Sequence, residues 1–139
     1  MSGEPPLMVL FPEQTQDLIA FAERGRRSLS SLADHEVAYG VEAMQLLDEW
    51  IDDHLERSPD PPAGVRLLWV GLLGEMFRRR HDGRWALQGG ILTVICPTDG
   101  GGEHSVEVWK QVDRRITRGM SESLAYFYDV TRIELKLGS

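Results

Sequence analysis

Apolar side chains recur at every third or fourth position through the first part of the chain, which is the spacing of helices that bury one face. The pattern predicts a first helix, opened by Pro12, over residues 13–27, followed by a serine-rich loop. It predicts a second helix over residues 33–57, which the prolines after Ser58 bring to an end. The apolar face of the second helix consists of Val37, Val41, Met44, Leu47, Ile51 and Leu55.

The middle of the chain is densely apolar and then changes to a two-residue alternation. The dense run predicts a central helix over residues 63–81, and Gly71 and Gly74 within it indicate close approach of another backbone. Gly89-Gly90 is the kind of connection that a tight hairpin takes. The runs around and after it predict the three strands of an antiparallel meander: 84–88, 91–96 and 104–109.

The last third of the chain predicts one or two closing helices. Residues 110–118 fit one helix, and Ser121 is suited to cap the beginning of another. Residues 132–137 fit either the end of that helix or an edge strand, because apolar and polar residues alternate there. The predicted fold is therefore α+β, with N-terminal helices packed on a three-stranded antiparallel meander and one or two C-terminal helices. We expect an N-terminal extension, residues 1–12, and a single domain, residues 13–139.

Charge and cysteine content narrow the possible functions. The 139 residues carry a net charge of −7, divided into −9 for residues 1–60 and +2 for residues 61–139. This balance opposes nucleic acid binding, which needs clustered Lys and Arg. No apolar run approaches the roughly 20 residues of a membrane-spanning helix, so we expect no membrane partner. The single cysteine, Cys96, cannot form an internal disulfide, and we expect a cytoplasmic location.

The densest group of charges lies on the predicted second helix. Its acidic residues are Asp48, Glu49, Asp52, Asp53 and Glu56. Four-residue spacings stack these carboxylates, as a divalent cation site would, but the sequence lacks the Glu-x-x-His pairs of metal sites in helical bundles. Because we place the acids opposite the apolar stripe, we expect a solvated acidic face that contacts a partner and holds no metal.

A second polar group centres on Glu75, which interrupts the dense apolar run. A buried carboxylate needs a partner, and Arg84 or an arginine of the later segment is the one we expect. Arg114 and Arg118 share one helical face through their four-residue spacing, and they and Trp85 are further candidates for an interaction surface. No GxSxG, HExxH or phosphate-binding loop is present in the sequence, so we predict no catalytic residue and no cofactor.

Several short motifs of the second half resemble those of a bacterial family of small α+β domains of unknown function. They are Leu73-Gly74-Glu75, the arginines 78–80, Gly83-Arg84-Trp85, the segment 112–119, and the stretch from Ser123-Leu124 to Phe127-Tyr128. The resemblance covers about residues 70–130 and departs from the family at Asp82, where a glycine is usual, and at Glu122, where an aspartate is usual. It implies a shared fold and one cluster that joins Glu75, Arg84 and Trp85 to arginines near 114, without implying an activity.

Together these observations predict a cytoplasmic protein-interaction or accessory domain without catalytic activity. It would act through the acidic helical face or through an arginine and tryptophan surface. We expect an unidentified protein as the partner, and a homodimer stays open. The alternative is a small-ligand-binding protein or an enzyme with a pocket around Glu75 and Arg84.

Overall fold

The computed structural model describes residues 6–138, which form five α-helices and a four-stranded antiparallel sheet. The strands are β1 (Leu7–Val9), β2 (Arg84–Gln88), β3 (Ile91–Pro97) and β4 (Glu103–Val106). The helices are α1 (Pro12–Ala33), α2 (Val41–Arg57), α3 (Ala63–Arg80), α4 (Val108–Arg118) and α5 (Leu124–Leu137), with a 3₁₀ turn, Gly119–Glu122, before α5. The predicted α+β class is confirmed.

The sheet has one strand more than the three that the sequence predicts. Strand β1 lies in the segment that we expected as an N-terminal extension, of which residues 1–5 lie outside the described residues, and it pairs antiparallel with β2. The continuous apolar run of residues 7–11 has no alternation by which to recognise a strand. The strand order is β1-β2-β3-β4, and Gly89 and Gly90 join β2 to β3 with positive φ values of 60° and 79°, as a two-residue hairpin requires.

Helix α3 is the centre of the core, and it contacts α1, α4 and the strands β2 and β3. It is buried continuously from Trp69 to Phe77. A Cβ atom at Gly71 would lie 3.1 Å from the backbone nitrogen of Ala22 in α1, so this glycine permits the close backbone approach that the sequence predicts. At Gly74 the neighbour is different, because the indole ring of Trp85 occupies the place of a side chain.

Two helix boundaries in the first half differ from the prediction. Helix α1 continues through the serines that we expected as a loop, because Leu29 lies on its buried face and the Ser28 hydroxyl donates back to the Arg24 carbonyl at 3.2 Å. Helix α2 begins only at Val41. The preceding segment is irregular, and the Val37 backbone N–H donates to the Ser30 hydroxyl at 2.9 Å.

The second half also differs in detail. Helix α4 begins at Val108, so Trp109 is helical and not part of β4. The cap of α5 is Ser123, whose hydroxyl accepts a bond from the Tyr126 N–H at 3.2 Å, and not Ser121. The ambiguous residues 132–137 are helical, and their alternation arises because Leu135 packs into the core while the apolar residues on either side face solvent.

Candidate functional site

Glu75 lies on α3 with its side chain fully buried. The guanidinium of Arg78 donates to both carboxylate oxygens, with Nη2 2.8 Å from Oε1, and Arg79 Nε donates to Oε1 at 2.9 Å. The two arginines follow Glu75 by three and four residues, so they reach it along one helical face. The structure therefore corrects the expected partner: Glu75 pairs with arginines of its own helix and not with Arg84.

Trp85 of β2 supplies the remaining donor. Its indole Nε1 lies 3.0 Å from Glu75 Oε2. The ring crosses α3 at Gly74, where any side chain would collide with it. The glycine in α3 thus places a tryptophan of the sheet against the buried carboxylate, and this joins the helix to the sheet through both packing and a hydrogen bond.

The environment of Glu75 favours its ionised form. Burial alone would raise the pKa of Glu75, but hydrogen bonds from Arg78, Trp85 and Arg79 outweigh burial and hold the pKa below its ordinary value of 4.5. At neutral pH the group is therefore a carboxylate whose two oxygens both accept hydrogen bonds. This arrangement describes a structural ion pair, since a general acid would need a raised pKa.

The contacts of Glu75 with Arg78, Arg79 and Trp85, which we call the Glu75 cluster, extend to α1 through Tyr39. This residue lies in the segment between α1 and α2. The Arg79 guanidinium lies over the Tyr39 ring, with its carbon 4.3 Å from the ring centre. The Tyr39 hydroxyl donates to Glu23 Oε2 at 3.2 Å, and burial together with this neighbour raises the pKa of Tyr39. Sequence reasoning missed both residues, because no periodicity connects positions 16 residues apart on different elements.

Asp48 is not part of a solvated face, contrary to the prediction, because only 4% of it is exposed. It follows Met44 by four residues and precedes Ile51 by three, so it lies on the apolar stripe of α2. Its carboxylate caps a different helix. The N–H groups of Leu124 and Ala125 in α5 donate to Oδ1 and Oδ2 at 2.9 and 3.1 Å.

Arg115 of α4 completes this second cluster and is fully buried. Its Nε donates to Asp48 Oδ1 at 2.8 Å, and its Nη2 donates to the Asp48 carbonyl at 3.0 Å and to Asp52 Oδ1 at 2.7 Å. The Ser123 hydroxyl donates to Asp48 Oδ2 at 2.7 Å. These contacts, which we call the Asp48 cluster, join α2, α4 and α5.

The sequence holds a signal for Arg115 but none for its partner. Arg115 lies seven residues after Val108 and three after Val112, so it shares their buried face. An arginine at such a position requires a carboxylate. The carboxylate that it meets is 67 residues earlier in the chain, and no local pattern indicates it.

The other arginines of the predicted cluster lie elsewhere. Arg84 pairs with Glu103 of β4 at 2.7 Å, and both side chains are about half exposed. Arg114 and Arg118 pair with nearby residues, Gln111 and Glu122, at 3.4 and 3.3 Å. The structure therefore brings together Glu75 and Trp85 alone out of the five predicted members.

The remaining acids of α2 line the protein surface. Glu49, Asp53 and Glu56 are exposed, and the Asp52 side chain is 51% exposed. A groove of about 450 Å³ lies between the end of α1 and α2. We call it the acidic groove, and its lining residues are Leu32, Leu46, Trp50, Glu49, Asp52 and Asp53.

Other candidate chemistry is not assembled in the described part of the chain. Burial raises the pKa of the Cys96 thiol to about 12, so this cysteine is not a thiolate at neutral pH. No group of three or more His, Cys, Asp or Glu side chains within residues 6–138 is arranged to hold a metal ion. Over the same range, every helix is too short or too polar to cross a bilayer.

Comparison with known proteins adds no identification. No protein-family profile matches the chain, and no curated protein or solved structure matches it at significant similarity. The family resemblance of residues 70–130 and the cytoplasmic location therefore stay predictions.

Proposed function

We propose that the chain is a protein-interaction domain without catalytic activity, and that its acidic groove binds a basic, partly apolar segment of a partner protein. The observation that carries the proposal is the composition of the groove, in which three apolar and three acidic side chains surround about 450 Å³. Apolar contact supplies affinity, and carboxylates around it select Lys and Arg over acidic segments.

Trp50 gives the acidic groove a rigid wall. Its ring packs edge-on against the ring of Trp69, with centroids 6.1 Å apart and an interplanar angle of 85°. Trp69 is fully buried, so the core fixes the position of the more exposed ring. Half-buried tryptophans held in this way are typical of the residues that dominate binding energy at interfaces.

The charge around the groove supports a basic partner. Residues 1–60 carry a net charge of −9. Arg115 partly neutralises Asp52 at 2.7 Å, so Glu49 and Asp53 supply most of the negative potential of the groove. A partner with complementary charge gains speed of association and selectivity from such a field, and this gain falls with added salt.

The alternative of a ligand or catalytic pocket around Glu75 and Arg84 gains no support. Both oxygens of Glu75 already accept hydrogen bonds, and Arg84 pairs with Glu103 instead. Five surface cavities among residues 6–138, of which the acidic groove is one, are lined by neither Glu75 nor Arg84.

Fluorescence anisotropy with a labelled amphipathic peptide of leucine and lysine tests the proposal, with the glutamate version of the same peptide beside it. We expect the basic peptide to bind and the acidic one not to bind. Asp53→Lys should weaken binding of the basic peptide roughly tenfold, because it reverses one charge of the groove. Raising the ionic strength to about 0.5 M should weaken binding further.

Asp17→Lys is the matched control, since it makes the same charge change at an exposed position of α1. It lies about 22 Å along the helix from Leu32, at 1.5 Å per residue, so it should leave binding unchanged. Equal losses in the two variants would show that only the overall charge attracts the peptide. Equal binding of the two peptides would also refute the proposal.

A further inference from the structure

Helix α5 has two apolar faces where an outer helix of a domain needs one. The inward face is buried and consists of Leu124, Tyr128, Thr131 and Leu135. A second set, at spacings of four, three and four residues, consists of Tyr126, Val130, Ile133 and Leu137. At about 100° per residue the two sets centre on opposite sides of the helix, so the second set faces away from the core.

The outward set, which we call the α5 stripe, is exposed to solvent. Tyr126, Ile133 and Leu137 are 68%, 48% and 81% exposed, and Val130 between them is partly buried. Alternating spacings of three and four are those of the seam of a two-stranded coiled coil. The stripe is therefore suited to pack against another helix with the same spacing.

The charges beside the stripe select an orientation for a second copy of α5. In a parallel pair, Asp129 of one copy would face Glu134 of the other. Arg132 pairs with Asp129 at 3.1 Å within the same helix and would offset the repulsion of the two acids only in part. In an antiparallel pair, Asp129 would lie beside Lys136 of the second copy, and two-fold symmetry makes this contact twice. The same arrangement places Val130 opposite Ile133 and Tyr126 opposite Leu137 of the second copy.

We propose that two copies of this chain associate through antiparallel packing of their α5 stripes. The seam covers roughly 400 Å² per copy if each of its four side chains buries about 100 Å², which is half of what a standard stable interface needs. The dimer is consequently weak and reversible, with a dissociation constant in the range of about 10 to 500 µM.

Sedimentation velocity of the full chain, from about 10 µM to 1 mM, tests this proposal. We expect the weight-average mass to rise from one copy towards two. Ile133→Glu should keep the chain monomeric throughout, because it places two carboxylates in the middle of the seam. Val41→Glu is the matched control, since Val41 is 47% exposed, outside the stripe, and should leave dimerisation unchanged.

The charge pair tests the orientation. Asp129→Lys alone and Lys136→Asp alone should each weaken association at least threefold, and the double exchange should restore it. A parallel arrangement predicts the reverse for Asp129→Lys, which would then strengthen the dimer. Circular dichroism confirms that each variant is folded. Three results would overturn the proposal: a wild type that stays monomeric at 1 mM, equal effects of Ile133→Glu and Val41→Glu, or a double exchange that does not restore association. The first of these is also the result expected if the stripe binds a different protein.

Discussion

Asp48 and Glu75 are both buried carboxylates that meet arginine, yet their donors come from different distances along the chain. The donors to Glu75 lie three to ten residues away, whereas those to Asp48 lie 67 to 77 residues away. The arginines of Glu75 are 30% and 38% exposed, but Arg115 is fully buried. Loss of Glu75 would leave arginines that can turn to water. Loss of Asp48 would leave a buried arginine with Asp52 as its remaining acidic partner, and would remove the acceptor of two N–H groups at the start of α5.

Of the variants of the two carboxylates, we expect Asp48→Asn to lose the most stability. The amide has one acceptor oxygen where the carboxylate meets four donors on Arg115, Ser123, Leu124 and Ala125. Breaking a buried ion pair costs about 3 to 5 kcal/mol, and we expect a loss of unfolding free energy of this size in guanidinium titrations. Asp53→Asn, at an exposed position of the same helix, should change stability by less than about 0.5 kcal/mol. Similar losses in both variants would contradict the role of the Asp48 cluster.

Glu75→Gln should cost less, about 1 to 2 kcal/mol, by the same titration. The glutamine oxygen can still accept the bond from Trp85, and the side chains of Arg78 and Arg79 extend into solvent. A loss larger than that of Asp48→Asn would show that the distance of the donors along the chain does not decide the effect.

The smallest expected effect is that of acid on the stability that Glu75 contributes. Because the pKa of Glu75 in the folded protein lies below 4.5, its ionised form stabilises the fold fully above that value. This contribution is lost as the pH falls through the lower folded pKa. The difference in unfolding free energy between wild type and Glu75→Gln should therefore shrink as the pH falls below 4.5. A difference that stays constant over this range would show that ionisation of Glu75 does not stabilise the fold.

The two clusters also differ in how far the sequence predicts them. Glu75 interrupts an apolar run, so its burial could be inferred, and its arginine partners stand within one helical turn of it. Asp48 occupies a stripe position, so its burial could have been inferred from the spacing of Met44 and Ile51. Its partners could not, because only the packing of α2, α4 and α5 brings them together.

The fold shows the same division between local and long-range information. A long periodic segment predicted α2, a densely apolar run predicted α3, and the Gly89-Gly90 turn predicted the central hairpin. Strand β1 was missed because its identity depends on pairing with β2, more than 70 residues later in the chain. The end of α5 was ambiguous because alternation at Ile133, Leu135 and Leu137 also arises when a helix has apolar residues on two opposite faces, of which only one contacts the core.

The buried thiol of Cys96 makes the opening of this fold measurable. It is the single cysteine of the chain, its sulfur lies next to Gly83 in the segment between α3 and β2, and its pKa of about 12 keeps it protonated. A thiol reagent can therefore react only with molecules in which this part of the sheet has opened. The rate of labelling in native buffer then reports how often the core opens, and it needs no denaturant and no introduced probe.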